Sequence, residues 1–273
     1  MTSRTLTMKR ATHTRKLKEL QQAQKEGVHY RWLSTGDMPG TGVKTRLFCS
    51  KAALGEVHLM SEAEHAELLE GWYRDDVRLI YDQVPLNTEK TTRAAVQVNA
   101  EHPMLFSSAE PAVLSTDLVY VVSKGNGSHG REARSVKSTG STDEELKKKQ
   151  LIEKRAWEND GANFVSVRSN GMHANRSKNL AWLFRAESDS LGRDLSDVEL
   201  KAQRELLGVI RRRKEMRVVD ACRYAERCAG LPLGSGVRAF RQLAAAKRIA
   251  FDLNVADPLE VLVADVWMPA RRK

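Results

Sequence analysis

Cysteine is scarce in this chain of 273 residues: only Cys49, Cys222 and Cys228 occur. An odd number without metal-ligand spacing excludes a disulfide framework and a zinc site, and points to a reducing compartment. No apolar run approaches the length of a membrane span, and Met1 to Arg10 contains no apolar segment of the signal-peptide kind. A Gly-rich phosphate loop of the P-loop type is also missing, so any ATP use would belong to a partner. These absences lead to the expectation of a soluble cytoplasmic protein with no membrane contact. What the chain does have is positive charge, 45 Lys and Arg against 35 Asp and Glu, a net +10. Such an excess favours a polyanionic partner, though it says nothing about fold.

The length accommodates two domains with ordinary cores. Residues 1–26 carry Arg4, Lys9, Arg10, Arg15, Lys16, Lys18 and Lys25 against only Glu19 and Glu26. That is either a DNA-contacting arm or helix, with Lys9, Arg10, Arg15, Lys16 and Lys18 as its contacts, or a solvated terminus. From about residue 43 to 168, strand patterns alternate with helical ones, which predicts a mixed sheet flanked by helices. The polar stretch Asn170 to Asn175 reads as a linker, giving a first domain over 1–168 and a second over 169–273. In the second, helical patterns cover about 174–186 and 196–214. Val218 to Glu226 and Val237 to Lys247 are helical about a Gly230–Gly236 break. Arg248–Leu253 and Glu260–Ala264 look like two strands joined through Asp257–Pro258. Helix, turn, helix and hairpin make a winged-helix pattern, with Arg238, Arg241, Lys247 and Arg248 on or beside the second helix. Winged helices read DNA or dock proteins, and both readings stand.

The chemistry concentrates in one hairpin. The run Leu114 to Val122 is apolar and β-branched, Lys124 to Gly130 reads as a loose loop, and Ala133 to Lys137 returns as a strand. A hairpin centred near Gly127 puts Asp117 opposite Lys137 and Val119 opposite Ser135. Opposed residues share a face, their Cβ atoms about 5 Å apart. A carboxylate and a lysine presented together, with the residue two before the lysine beside them, is the arrangement of metal-dependent nucleases. A surface salt bridge is the plainer reading of the same residues. Upstream, Ser61 is a natural N-cap with Glu64 at capping-box spacing, so the bland role for Glu64 is that cap.

Six segments in register carry a resemblance. They are the Ser61-x-x-Glu64 helix start, Ile80-x-x-Gln83-x-Pro85, His102-Pro103, Ser115-Thr116-Asp117, Ala133-x-x-Val136-Lys137 and Glu153-x-Arg155-x-Trp157. In this order, across about residues 30 to 185, the chain resembles the TnsA family, the endonuclease subunit of heteromeric cut-and-paste transposases. The resemblance implies a restriction-endonuclease-like α/β fold in the first domain. It implies Glu64, Asp117 and Lys137 as catalytic residues, with Mg2+ (Mn2+ as substitute) held by Glu64, Asp117 and the main-chain carbonyl of Val136. Ser135 and Glu153 are expected beside that site as supporting residues. The implied partners are double-stranded transposon-end DNA, a TnsB-like recombinase that handles the 3′ strands, and a TnsC-like ATPase. The chain itself would cut the 5′ strands.

Two residues depart from the family pattern. Ser135 stands where the family has glutamine and wider relatives glutamate, and Tyr81 stands where arginine is usual. Serine is too short to replace a charged ligand, so a bridging water is expected. On this picture Ser135→Gln preserves or raises cleavage and Ser135→Ala costs little. The competing functions are a stand-alone restriction-type nuclease and a catalytically impaired DNA-binding or assembly adapter. His58 and His102 read as hydrogen-bonding structural residues, and Lys147 to Lys149, interleaved with glutamates, as a solvated helix face. Arg211 to Lys214 suit a helix C-terminus, and Trp72, Trp157 and Trp182 are expected in cores.

Overall fold

A computed structural model describes residues 10–37, 43–105, 110–125, 127–137, 144–190 and 192–270. Arg4 and Lys9 of the basic N-terminal stretch lie outside the described residues, as does the side chain of Arg10. The chain divides into two compact units, Met1–Gly171 and Met172–Lys273, a few residues beyond the boundary read from the sequence. No helix among the described residues is long and apolar enough to cross a membrane.

The first unit begins with α1 (Arg10–Glu26) and an antiparallel pair, β1 (Thr45–Phe48) and β2 (Glu56–Leu59). Helix α2 (Glu62–Tyr73) follows, then β3 (Val77–Pro85), α3 (Thr88–Gln97), β4 (Ser115–Ser123), β5 (His129–Lys137), α4 (Glu144–Asn159) and β6 (Asn163–Arg168). The main sheet has the order β3-β4-β5-β6, antiparallel except for β6, which runs parallel to β5. This is the mixed sheet flanked by helices that the alternating patterns predict.

Adjacent residues of β4 point to opposite faces, and the two faces bury different helices. Val119 packs with Ala133 against Ala94 and Ala95 of α3 and Ile152, Ala156 and Trp157 of α4. Tyr120 faces α2 instead, where its hydroxyl donates to the Glu67 carbonyl at 2.7 Å. Helix α2 fits closely there because residue 71 is glycine: a Cβ at that position would lie 2.5 Å from the Tyr120 ring.

The hairpin register differs from the expected one. Val119 pairs with Ala133 rather than Ser135, and Leu118 with Arg134. The loop is tighter than the sequence implies. The Lys124 N–H donates to the Ser128 carbonyl at 2.8 Å, and Gly127 supplies the left-handed conformation (φ 81°) instead of marking the centre. The slip is two residues, so it leaves side-chain facing unchanged.

Among its described residues the second unit has four α-helices, α5 (Ala174–Ser190), α6 (Asp197–Arg212), α7 (Val218–Ala229) and α8 (Ser235–Ala245), and a 3-10 turn at Val263–Asp265. Ser196 and Glu199 form a reciprocal capping box at the start of α6. The turn between α7 and α8 uses two left-handed glycines, Gly230 and Gly234. Gly236 lets α8 sit against the α7 backbone, since a Cβ there would be 2.5 Å from the Cys222 carbonyl oxygen. Helix α8 contacts α5, α6 and α7, and buries Ala239, Phe240, Gln242, Leu243 and Ala244.

The predicted hairpin after α8 is not present. The backbone of the first run is engaged elsewhere: Asn179 of α5 donates its side-chain amide to the carbonyls of Leu253 (2.9 Å) and Val255 (2.7 Å). The second run joins the approach to α7, with Val218 N–H on the Val261 carbonyl and Val263 N–H on the Met216 carbonyl. Single bridges, Arg217 with Leu262 and Ala250 with Trp267, stand in place of two strands. The helix-turn-helix part is as expected, but the wing is not.

Candidate active site

The site gathers around the ends of β3, β4 and β5. Asp117 lies near the start of β4 and Lys137 at the end of β5. The Asp117 Oδ2 accepts the Val136 N–H at 2.7 Å and lies 3.5 Å from the Lys137 Nζ. The carboxylate therefore touches both the backbone and the cation of the neighbouring strand. The sequence pairing of Asp117 with Lys137 survives the shift in register as a diagonal contact.

Glu64 comes from the first turn of α2. Ser61 caps the helix by accepting the Glu64 N–H at 3.2 Å, and its hydroxyl donates to Glu64 Oε1 at 3.1 Å. Oε2 accepts the Met60 N–H (2.9 Å) and the Gln83 side-chain amide (3.2 Å). The cap and the site are thus one arrangement. Burial, and after it repulsion from Asp117, push the Glu64 carboxyl up to about 7.

Lys137 answers them. Burial alone would lower its ammonium, but the carboxylates of Asp117, Glu153 and Glu64 outweigh burial and leave its pKa raised. Glu153, from α4, is nearly inaccessible; burial drives it up to about 7, against the attraction of Lys137. It accepts the Thr116 hydroxyl at 2.6 Å and the Ser135 hydroxyl at 3.1 Å. Thr116 in turn accepts the Trp157 indole N–H at 2.7 Å. Ser135 is fully buried and bound to Glu153.

Sequence reasoning passed over Gln83. It is buried, adopts a left-handed backbone (φ 46°) between the paired residues Asp82 and Val84, and donates to Glu64. A non-glycine residue in that region is uncommon and concentrates at functional sites. Its place in the Ile80-x-x-Gln83-x-Pro85 segment was the available signal. Tyr81 packs edge-on to His29 at 5.0 Å. His58 accepts the Thr35 N–H through Nδ1 at 3.2 Å, and His102 contacts the Pro103 carbonyl and Thr91 hydroxyl. Both histidines are hydrogen-bonded within the first unit. Trp72 and Trp157 are buried, whereas Trp182 is only half-buried.

Lys16 must be removed from the DNA-contacting set. Its ammonium is buried, donating to the Trp32 carbonyl (2.6 Å) and Asp37 (2.7 Å), so it anchors α1 instead of facing a phosphate. Arg15 is exposed and 3.4 Å from Glu19, and Lys18 is exposed.

No group of three or more His, Cys, Asp or Glu residues with metal-ligating geometry occurs among the described residues. The donor set is nonetheless of the right chemistry for a hard divalent cation. Two carboxylates that repel each other would both be relieved by it, and magnesium is satisfied with one or two carboxylates plus waters and substrate phosphate. Glu64, Asp117 and the Val136 carbonyl would hold it.

The first unit thus brings Asp117 and Lys137, at strand ends, together in an α/β architecture with Glu64 at the start of α2, and a helical unit follows. Residues 173–253, all in the second unit, match the family described as TnsA endonuclease C terminal. The second unit is therefore similar to the C-terminal part of the TnsA endonucleases. No curated protein matches the chain.

Proposed function

We propose that this protein is a Mg2+-dependent DNA endonuclease that cuts the 5′ strands at transposon ends during excision, working with a TnsB-like recombinase and a TnsC-like ATPase. The carrying observation is the contact of Asp117 with both Lys137 (3.5 Å) and the Val136 N–H (2.7 Å), with Glu64 close enough to be repelled by it. A salt bridge serving only stability does not account for a second, buried carboxylate that feels the charge of the first. Bound Mg2+ (or Mn2+) would lower the pKa of water and stabilise charge on the phosphate oxygens.

The chain's own residues supply the rest. Asp117 is fixed by the Val136 N–H, so its carboxylate is oriented before DNA arrives. Glu64 is fixed at both oxygens by Met60, Ser61 and Gln83. Lys137, kept charged by its carboxylate neighbours, orients the attacking water or neutralises charge developing on the scissile phosphate. Double-stranded DNA is the substrate class, in keeping with the +10 net charge.

The test is cleavage of end-labelled transposon-end duplex by the full chain with the recombinase, the ATPase and Mg2+, with an EDTA control. The reading predicts 5′-strand nicks that need the metal. They vanish in Glu64→Ala, Asp117→Ala and Lys137→Ala, while recombinase-dependent 3′ cuts remain. Undiminished 5′ nicks in any one variant would remove that residue from the site. Cleavage without either partner would favour a stand-alone restriction-type nuclease. Absence of any 5′ cut would favour an adapter.

A further inference from the structure

Strand β6 ends the sheet beyond β5, and its outer edge pairs with no strand among the described residues. It runs parallel to β5, with Ser166 level with Ser135 and Arg168 level with Lys137. The serine pair shows which way the two strands face. Ser135 donates to Glu153 of α4 at 3.1 Å, and Ser166 accepts the Gln150 side-chain amide of the same helix at 2.7 Å. Two residues further on, Lys137 and Arg168 return to that face, one strand spacing of about 4.8 Å apart. Lys149, next to Gln150 on α4, is half-buried, and its charge acts on Glu153.

Several cations of α4 are already satisfied. Lys147 is 3.1 Å from Glu144, and Lys154 and Arg155 each lie 3.8 Å from Glu158. Arg168 and Lys149 have no ion-pair partner among the described residues, and Arg168 is exposed. A guanidinium beside the Lys137 ammonium gains nothing from a like charge. An anion brought from outside would satisfy it, and a phosphate suits the planar guanidinium fork, which can give it two parallel hydrogen bonds. We infer that Arg168 and Lys149 hold phosphates flanking the scissile one, so that the cut strand runs from Lys137 across the end of β6 to the open edge of the sheet. The inference rests on the nuclease reading of Lys137 and adds the path of its substrate. Lys149 thereby leaves the solvated helix face on which its neighbour Lys147 remains.

The experiment has a binding arm and a cleavage arm, both on the full-length chain. Binding to transposon-end duplex is followed by fluorescence anisotropy in EDTA between about 50 and 200 mM salt. Arg168→Gln and Lys149→Gln should each lower the salt slope by about 0.9 and weaken binding about fivefold at about 0.15 M salt, the effect of one lost phosphate contact. Arg168→Lys should keep the slope. Lys154→Gln, which removes the same charge from a partnered position, should leave it unchanged. In the full reaction with recombinase, ATPase and Mg2+, Arg168→Gln should raise the protein concentration for half-maximal 5′ cutting about fivefold, with the maximal rate held within about twofold. An equal loss of slope in Lys154→Gln would reduce the effect to net charge and overturn the inference. So would an unchanged slope in Arg168→Gln, or a lost maximal rate with unaltered binding. If the parent shows these slopes but never cuts, the nuclease reading fails and the phosphate contacts stand. If cutting needs Glu64, Asp117 and Lys137 while Arg168→Gln changes nothing, the nuclease reading stands and the path fails.

Discussion

Glu64→Gln should stabilise the metal-free protein at alkaline pH while abolishing cleavage. The glutamate is buried, and its carboxyl is raised from an ordinary 4.5 to about 7, first by burial and then by Asp117. A raised carboxyl means that the folded state binds more protons than the unfolded state between those two values. Stability therefore falls as pH rises through that window and levels off above it, where the contribution of the protonated carboxyl is gone. At about 1.4 kcal/mol per pH unit, the charge on Glu64 costs about 3 kcal/mol at pH 8. Glutamine has the same shape. Its amide oxygen keeps the Met60 and Gln83 donors, and its amide nitrogen donates to the Ser61 hydroxyl, reversing that one contact. The substitution should thus recover most of that cost, raising the melting temperature by about 5 °C or more for a unit of this size. Below pH 4.5 the difference should vanish, since both residues are then neutral. The assay is thermal unfolding in EDTA from pH 4 to 8.5. A variant less stable than the parent at pH 8, or a difference that does not change with pH, would refute the reasoning.

Three further outcomes follow. Lys137→Met removes the cation that offsets Asp117, Glu64 and Glu153. Its raised pKa means that its contribution is fully present below 10.5, so at pH 8 the variant should lose about 1–3 kcal/mol in denaturant unfolding; no loss would deny the electrostatic coupling. Gly71→Ala should lose about 1–3 kcal/mol despite the better helix propensity of alanine, because its Cβ meets the buried Tyr120 ring. The displaced α2 should also reduce cleavage, and an unchanged melting temperature would show that Tyr120 moves aside freely. Lys16→Ala should destabilise the first unit by about 2–4 kcal/mol, yet leave the salt dependence of DNA binding unaltered; a shallower salt slope would return Lys16 to the DNA surface.

Much of the site was legible in the sequence because its signals are local. Ser61 three residues before Glu64 announced the helix start, and the β-branched run through Asp117 announced a strand. Asp117 and Lys137 were expected together and lie 3.5 Å apart. The register was not legible, because it depends on how Lys124 and Ser128 close the loop rather than on where its glycines lie. Glu153 was placed near the site, but nothing in its spacing shows that its oxygens bind Thr116 and Ser135. The same limit hid the burial of Lys16, whose partners Trp32 and Asp37 are distant in sequence. Arg248–Leu253 has the composition of a strand, yet Asn179 of α5 satisfies its end, so propensity lost to tertiary contact. The helices of the second unit, set by amphipathic spacing and glycine stops, were read correctly.

The central claim is that Glu64, Asp117 and Lys137 form a metal-dependent centre that cuts DNA. The most direct measurement is 5′-strand cleavage of end-labelled transposon-end DNA by Asp117→Asn, with the recombinase and ATPase present and Mg2+ or Mn2+ supplied. Asparagine keeps the shape and the oxygen that accepts the Val136 N–H, but removes the charge that would bind metal and that lies beside Lys137. The account predicts a folded protein with 5′ nicks lost in both metals and 3′ cuts retained. Parental levels of 5′ nicking from a folded Asp117→Asn protein would contradict it.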